Sequence, residues 1–254
     1  MAGDSRWAGI GAAALLERLA LIAMLFLYTF GGYYAIGLSA DASAAHTLRT
    51  PLDDAIPFIP VTIYLYSWVY TAMLYPAFTV RCPGLFRRVS VAYAVVISVS
   101  LVTFATFPVT SLGFRPELSQ LPDTRFHEWG VRLNFMLDPP FNLFPSLHMA
   151  IGTLAVLAAA KARRRYGVVA ALVIAGVAVA VCTVKQHYVA DAVAGIALGL
   201  VAYALVLRPF EVRHRPPSEI AYGWAGPASY LGFHALVMLG LYALFRAGVP
   251  LWAS

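Results

Sequence analysis

Apolar residues fill seven stretches of this sequence, and short polar segments separate them. A helix needs about 20 mostly apolar residues to cross the hydrocarbon core of a bilayer. The sequence therefore predicts about seven membrane-spanning helices, over residues 19–38, 56–77, 89–109, 146–160, 167–184, 188–207 and 228–245. The fourth stretch is short, so we expect its helix to begin within the preceding loop. Pro227 and His234 weaken the last stretch, which would be an extra C-terminal span.

The longest polar connection covers residues 110–144 and is punctuated by prolines. Within it, residues 125–136 predict a short amphipathic helix that lies on the membrane interface. The first apolar stretch is too long for the apolar core of a cleavable signal peptide, so we expect it to remain as a helix. No internal repeat is visible, and we interpret residues 1–254 as a single membrane domain.

The composition supports a membrane protein. Hydrophobic residues make up 61% of the chain and charged residues only 12%, whereas a soluble domain has about 25% charged residues. The net charge of +6 does not indicate nucleic-acid binding, because the basic residues stand in short clusters between apolar stretches. Two cysteines are too few for a disulfide framework. We therefore expect an all-α, polytopic integral membrane bundle.

The basic residues also predict the orientation of the chain. Ten of the 18 Lys and Arg residues lie in the loops after the second, fourth and sixth spans, namely Arg81, Arg87, Arg88, Lys161, Arg163, Arg164, Arg165, Arg208, Arg213 and Arg215. Because short loops rich in Lys and Arg stay in the cytoplasm, these three loops are expected there. The starts of the fourth and sixth spans then lie together on the opposite side of the membrane.

Polar residues that could carry chemistry stand at these two starts, in the segments FPSLHMA (144–150) and KQHYVAD (185–191). His187 and Asp191 are four residues apart, so a helix places them on one face. The carboxylate could fix the tautomer of the imidazole and leave its other nitrogen free as a nucleophile or base. Pro145 and Ser146 precede His148 at a helix start, where free backbone N–H groups suit an anion such as phosphate.

Two cations, Lys185 and Arg115, are predicted on the same side of the membrane. Two histidines, an aspartate, a helix N-terminus and these cations form a suitable set for phosphoryl transfer. One histidine would attack phosphorus and the other would protonate the leaving oxygen, while the cations and the backbone N–H groups hold the developing charge. This chemistry requires no metal and no other cofactor.

The segments PSLH and HYVAD resemble the second and third signature motifs of the type 2 phosphatidic acid phosphatase superfamily. The HYxxD form, the IPFIP segment at residues 56–60 and the late basic loop are most similar to its inositol phosphorylceramide synthase and sphingomyelin synthase branch. The resemblance covers about residues 89–207 and implies a six-helix membrane core. It also implies that His187 forms a phosphohistidine, that Asp191 supports it, that His148 protonates the leaving group, and that Ser146 lies near the phosphate and helps to bind it.

The sequence departs from the family pattern at several positions. Leu147 stands where the second motif often has glycine, and Ala180 and Val181 stand where the phosphatase third motif has Ser-Arg. Arg115 and Pro116 match the end of the first motif, but Pro108 occupies its lysine position. These departures favour the synthase-like branch over a simple phosphatase.

The expected activity is that of a lipid phosphatase or phosphotransferase that acts on a lipid substrate in the bilayer. Transfer to a second alcohol is slightly favoured over hydrolysis of phosphatidic acid or a polyprenyl pyrophosphate. A transporter with a His/Asp proton relay remains an alternative, although the polar residues gather at one face and no paired broken helices are evident. The expected location is the bacterial inner membrane, with the site facing the periplasm. Lipid tail, head group and oligomeric state stay open.

Overall fold

The structure is a computed structural model that describes residues 11–212 and 215–248. Within these ranges the regular secondary structure is helical, with three isolated β-bridges in addition. The polytopic all-α bundle expected from the sequence is confirmed. Arg213 of the third basic loop lies outside the described residues. The helices are α1 (Ala12–Ser39), α2 (Pro51–Ala55), α3 (Ile63–Tyr66), α4 (Val69–Ala72), α5 (Tyr75–Thr79), α6 (Pro83–Thr106), α7 (Phe126–Leu137), α8 (Leu147–Ala162), α9 (Arg164–Thr183), α10 (Val189–Ala202), α11 (Pro217–Ile220) and α12 (Ala225–Arg246).

Five of the seven expected spans are single helices long and apolar enough to cross a membrane. They are α1, α6, α9, α10 with its π-helical continuation to Leu207, and α12. The short amphipathic helix is also present, as α7. The fourth span is the 16-residue helix α8. It begins at Leu147, so the expectation that it starts within the preceding loop was wrong, because Ser146 caps the helix directly after Pro145.

The expected second span, residues 56–77, is not one helix, and this prediction was wrong. The chain instead forms a 3₁₀ turn at Pro60–Thr62 and then the short helices α3, α4 and α5, with turns between them. Proline supplies a physical reason for the late start, because Pro60 opens the 3₁₀ turn and has no N–H for a helical ladder. Further along, Ser67 and Thr71 donate to backbone carbonyls three residues earlier, at Tyr64 and Trp68. Such local bonds compete with the regular helical ladder.

Helix α8 lies at the centre of the bundle and packs against α9, α10 and α6. Its approach to α10 is very close, because an added Cβ on Gly195 would lie only 2.2 Å from the backbone oxygen of Ser146. An added Cβ on Gly199 would likewise lie 2.8 Å from the backbone oxygen of Ala150. Small residues allow helix backbones to approach in this way. The contact places the start of α8 directly beside α10.

Helix α1 lies on the outside of this core and is fastened to it at both ends. At one end, the buried Arg18 guanidinium donates to the backbone oxygens of Val80 at 2.7 Å and Arg81 at 3.1 Å. A buried charge needs such hydrogen bonds to offset its lost hydration. At the other end, the Tyr34 hydroxyl donates to the backbone oxygen of Leu137 at 2.6 Å. Helix α1 is therefore held against the segment that precedes α8.

Replacing Gly195 with alanine should lower the stability of the protein. The new methyl group would collide with the Ser146 carbonyl, and overpacking of this kind costs about 1–3 kcal/mol of the free energy of unfolding. The measurement is thermal unfolding of the purified protein in detergent. Gly240→Ala in α12 is the matched control, because an added Cβ there meets nothing within 4 Å. Equal melting temperatures for the two variants would contradict the close α8–α10 contact.

Candidate active site

The two predicted histidines lie side by side in the structure, although they are 39 residues apart in the chain. His148 is the second residue of α8, and His187 stands just before α10. Their facing ring nitrogens, His148 Nδ1 and His187 Nε2, are 3.1 Å apart, which is a hydrogen-bond distance. A bond between two imidazoles requires one ring to donate and the other to accept. Of the two facing ring nitrogens, one can therefore carry a proton while the other presents a lone pair to it.

Asp191 lies behind His187, as the four-residue spacing predicts. Its Oδ2 atom is 3.6 Å from His187 Nδ1 and also accepts a hydrogen bond from the Tyr188 backbone N–H at 2.9 Å. The Asp191 and His187 side chains are almost fully buried, with 0% of Asp191 and 3% of His187 exposed. A carboxylate on this side favours the tautomer with its proton on Nδ1. That tautomer leaves the Nε2 lone pair facing His148.

Ser146 connects the starts of the two helices. Its hydroxyl oxygen accepts from the Met149 backbone N–H at 3.4 Å and so caps α8. Its own backbone N–H donates to the backbone oxygen of Asp191 at 3.0 Å. These two bonds hold His148 and Asp191 at a fixed separation. A direct role of Ser146 in phosphate binding remains a prediction.

Lys185 occupies a turn between α9 and α10, with a left-handed φ of 59°. Its ammonium group donates to the backbone oxygens of Asp53 at 2.8 Å and Ile56 at 2.5 Å. Burial lowers the pKa of this ammonium, while the charge of Asp53 opposes that shift. Lys185 therefore holds the segment around α2 against residues 185–191, the segment that contains His187. Its predicted contact with phosphate remains a prediction.

Arg115 extends from the long loop before α7 to the end of that helix. Its Nη1 atom donates to the backbone oxygen of Asp138 at 2.9 Å, and its guanidinium lies 5.1 Å from the ring centre of Phe135. Its buried Nε atom has no hydrogen-bond partner among the described residues. The predicted use of Arg115 on a phosphate is compatible with this position and remains a prediction.

Two aspartates that the sequence pattern did not assign to the site belong to it in the structure. Asp53 accepts from the Thr50 backbone N–H at the start of α2, and it also accepts from the Val189 backbone N–H at 2.8 Å and so caps α10. Asp138 accepts from the hydroxyls of Tyr33 and Tyr66 and from the Gln186 side chain. A signal for Asp138 was available, because it is a lone charge in the apolar segment FMLDPPFNLF. No sequence pattern indicates that Asp53 would reach α10.

An open groove of about 270 Å³ begins at His148 and Asp138. Helix α1 forms one wall of the groove, and α4 and α8 form others. Apart from His148, Asp138 and a few hydroxyl groups, its lining is apolar or aromatic, with Phe26, Phe30, Val69, Met73, Leu137, Leu147 and Ile151. Such a groove suits a ligand that has a polar end and a hydrocarbon tail.

A family model described as the PAP2 superfamily matches residues 35–205 of the 254-residue chain. The match is longer than half of the chain and includes both histidine segments, Arg115 and Asp138. No curated protein and no solved structure shows a significant match.

Replacing Asp53 with alanine should destabilise the protein. The change removes the buried carboxylate that accepts from the Val189 N–H and the Thr50 N–H, and a hydrogen bond to a charged group contributes about 1.5–3 kcal/mol to the free energy of unfolding. Thermal unfolding in detergent measures the loss. The neighbouring variant Asp54→Ala serves as the control, because Asp54 is half exposed and pairs with Arg49 on the surface. If both variants melt at the same temperature, Asp53 does not hold α10 as described.

Proposed function

The chain belongs to the PAP2 superfamily, and from that premise we propose that it acts on a lipid-linked phosphate through a phosphohistidine formed on His187. Membership supports a phosphatase-type enzyme that acts on phosphate substrates. The observation that carries the proposal further is the contact between His148 and His187, with Asp191 behind it, at the polar end of an apolar groove. The type of intermediate, the lipid and the acceptor are our proposals.

In the first step, the lone pair on His187 Nε2 attacks phosphorus and a new N–P bond forms. The bond from phosphorus to the leaving oxygen breaks, and that oxygen takes the proton from His148 Nδ1. Asp191 stabilises the positive charge that develops on His187. The phosphate must enter between the two ring nitrogens, so it replaces their direct hydrogen bond.

In the second step, an acceptor oxygen attacks phosphorus and the N–P bond breaks. His148, now neutral, takes the proton from the acceptor, and the site returns to its starting state. Arg115, Lys185 and Ser146 at the start of α8 are the proposed groups that hold the charged phosphate oxygens. This cycle uses only side chains of this chain together with substrate and acceptor.

The groove favours a lipid as the substrate. Its lining is mostly apolar along α1, and it opens between helices whose outer faces carry many exposed apolar residues. A hydrocarbon tail in the groove would bring a phosphate group on its end to His148. We propose that the site faces the non-cytoplasmic side of the membrane, because the basic loops lie at the opposite helix ends.

The acceptor decides between a head-group transferase and a phosphatase. The near-complete burial of His187 favours transfer to a second alcohol, because a shielded phosphohistidine reacts slowly with bulk water. The HYxxD form of the third motif favours the same branch. A lipid phosphate phosphatase is the second candidate, which the match to the PAP2 superfamily supports.

Incubation with a lipid phosphate that carries radioactive phosphorus should leave acid-labile label on the wild-type protein. His187→Ala should carry no label and should lose turnover by about a thousandfold or more, because the nucleophile is gone. His127→Ala on α7 is the control and should behave as wild type. A chase then identifies the acceptor. Label that leaves only when an alcohol is added indicates transfer, and label that leaves in water alone indicates a phosphatase. A wild-type protein that turns over substrate without any label would contradict the covalent mechanism.

Filling the groove should weaken binding of long-chain substrates only. Thr29→Trp places a large ring in the groove beside the tail, so we expect about a tenfold higher KM for a long-chain lipid phosphate. Turnover of a short, water-soluble phosphate ester should be unchanged. Leu27→Trp is the control, because Leu27 lies on the same helix but is 76% exposed. Equal effects of Thr29→Trp on long and short substrates would contradict the tail-binding role.

A further inference from the structure

Asp138 is a buried carboxylate that the reaction above does not use. It directly follows α7, and only 7% of the residue is exposed. Its Oδ1 atom accepts from the Tyr33 hydroxyl, and its Oδ2 atom accepts from Gln186 Nε2 and, at 3.4 Å, from the Tyr66 hydroxyl. All three donors are neutral, so these bonds solvate the carboxylate without cancelling its charge. A buried negative charge held in this way acts strongly on nearby groups.

His148 is such a group. The Tyr66 hydroxyl is 3.4 Å from His148 Nδ1, the same distance that separates it from Asp138 Oδ2. The Tyr66 ring also packs edge-to-face against the imidazole, with 5.6 Å between ring centres. Asp138 and His148 also line the same groove. Tyr66 thus stands between the carboxylate and the nitrogen that faces His187.

The segment that contains His187, residues 185–191, is hydrogen-bonded to the same carboxylate. Gln186, which directly precedes His187, donates to the Oδ2 atom that Tyr66 also contacts. The contacts therefore run from Asp138 through Tyr66 to His148, from His148 to His187, and from His187 to Asp191. One carboxylate lies at each end of the imidazole pair.

Two neighbouring imidazoles need different surroundings if they are to perform opposite tasks. Asp191 faces His187 and prepares it as the nucleophile, whereas the carboxylate on the His148 side of the pair is Asp138. We propose that Asp138, acting through Tyr66, is the positioning residue of His148 and favours its protonated form. The inference rests on the proposed function, because it assigns His148 as the acid that protonates the leaving oxygen.

The surroundings of His148 show why it needs such support. Burial disfavours an imidazolium and a neighbouring carboxylate favours it, and Asp138 is the carboxylate that Tyr66 links to His148. The Tyr66 hydroxyl can orient the ring by its bond to Nδ1 before the substrate arrives.

The test uses leaving groups that differ in their need for a proton. An alkyl phosphate such as octyl phosphate releases a strongly basic alkoxide, which must be protonated as it leaves. Nitrophenyl phosphate releases a stable phenolate, which needs little help. We expect Asp138→Asn to slow phosphoenzyme formation from octyl phosphate about 100-fold, the lower end of the contribution of a general acid. Formation from nitrophenyl phosphate, measured in a single turnover, should fall less than about threefold, because that step depends little on the acid.

Three variants complete the experiment. His148→Ala should show the same dependence on the leaving group, because it removes the acid itself. Tyr66→Phe keeps the ring and removes the hydroxyl, and it should slow phosphoenzyme formation from octyl phosphate more than from nitrophenyl phosphate. This variant tests the proposal even if Asp138→Asn fails to fold. Asp123→Asn is the control, because Asp123 is exposed and pairs with Arg132 on the surface.

A merely structural Asp138 would give a different result. Asp138→Asn and Tyr66→Phe would then slow phosphoenzyme formation from both esters by the same factor, and the proposal would be overturned. Failure of the underlying function is distinguishable, because the wild-type protein would then form no phosphoenzyme from either ester.

Discussion

The direct contact between His148 and His187 is the feature on which the site depends. Two polar rings from distant segments meet in an apolar bundle, so the helices that carry them must be held closely together. Glycine at position 195 allows the backbone of α10 to approach the start of α8, and Ser146 bonds to the backbone of Asp191 at the same point. The chemistry of the site is therefore a consequence of close backbone packing between α8 and α10.

Burial strengthens the electrostatic interactions within this contact. Asp191 and His187 are shielded from solvent, and electrostatic interactions are stronger where water is excluded. The carboxylate can then fix the tautomer of one imidazole while the other lies beside the groove. The segment around α2 supports the same arrangement from outside. Asp53 accepts a hydrogen bond from the start of α10, and Lys185 donates to two backbone oxygens of this segment. The polar groups of the site thus form a network of contacts around the starts of α8 and α10.

Much of this arrangement could be predicted from the sequence because it follows from local patterns. Long apolar stretches predicted α1, α6, α9, α10 and α12, and amphipathic spacing predicted α7. The four-residue separation of His187 and Asp191 predicted that they would lie together, although His187 stands just before α10 and not on it. The broken second span was missed, since its length and apolar character match those of a regular helix, although Pro60 and Pro76 stand at the starts of separate helical segments within it. Asp138 was missed because its partners lie 48 to 105 residues away in the chain and only the fold brings them together.

An experimental structure of the protein with vanadate, an analogue of the phosphate in transfer, tests the central claim most directly. We predict that the vanadium centre lies between His187 Nε2 and His148 Nδ1, with Asp191 still behind His187. Bonds to the oxyanion should replace the direct bond between the imidazoles. Vanadate bound elsewhere, or histidine side chains that do not converge on it, would contradict the proposed site.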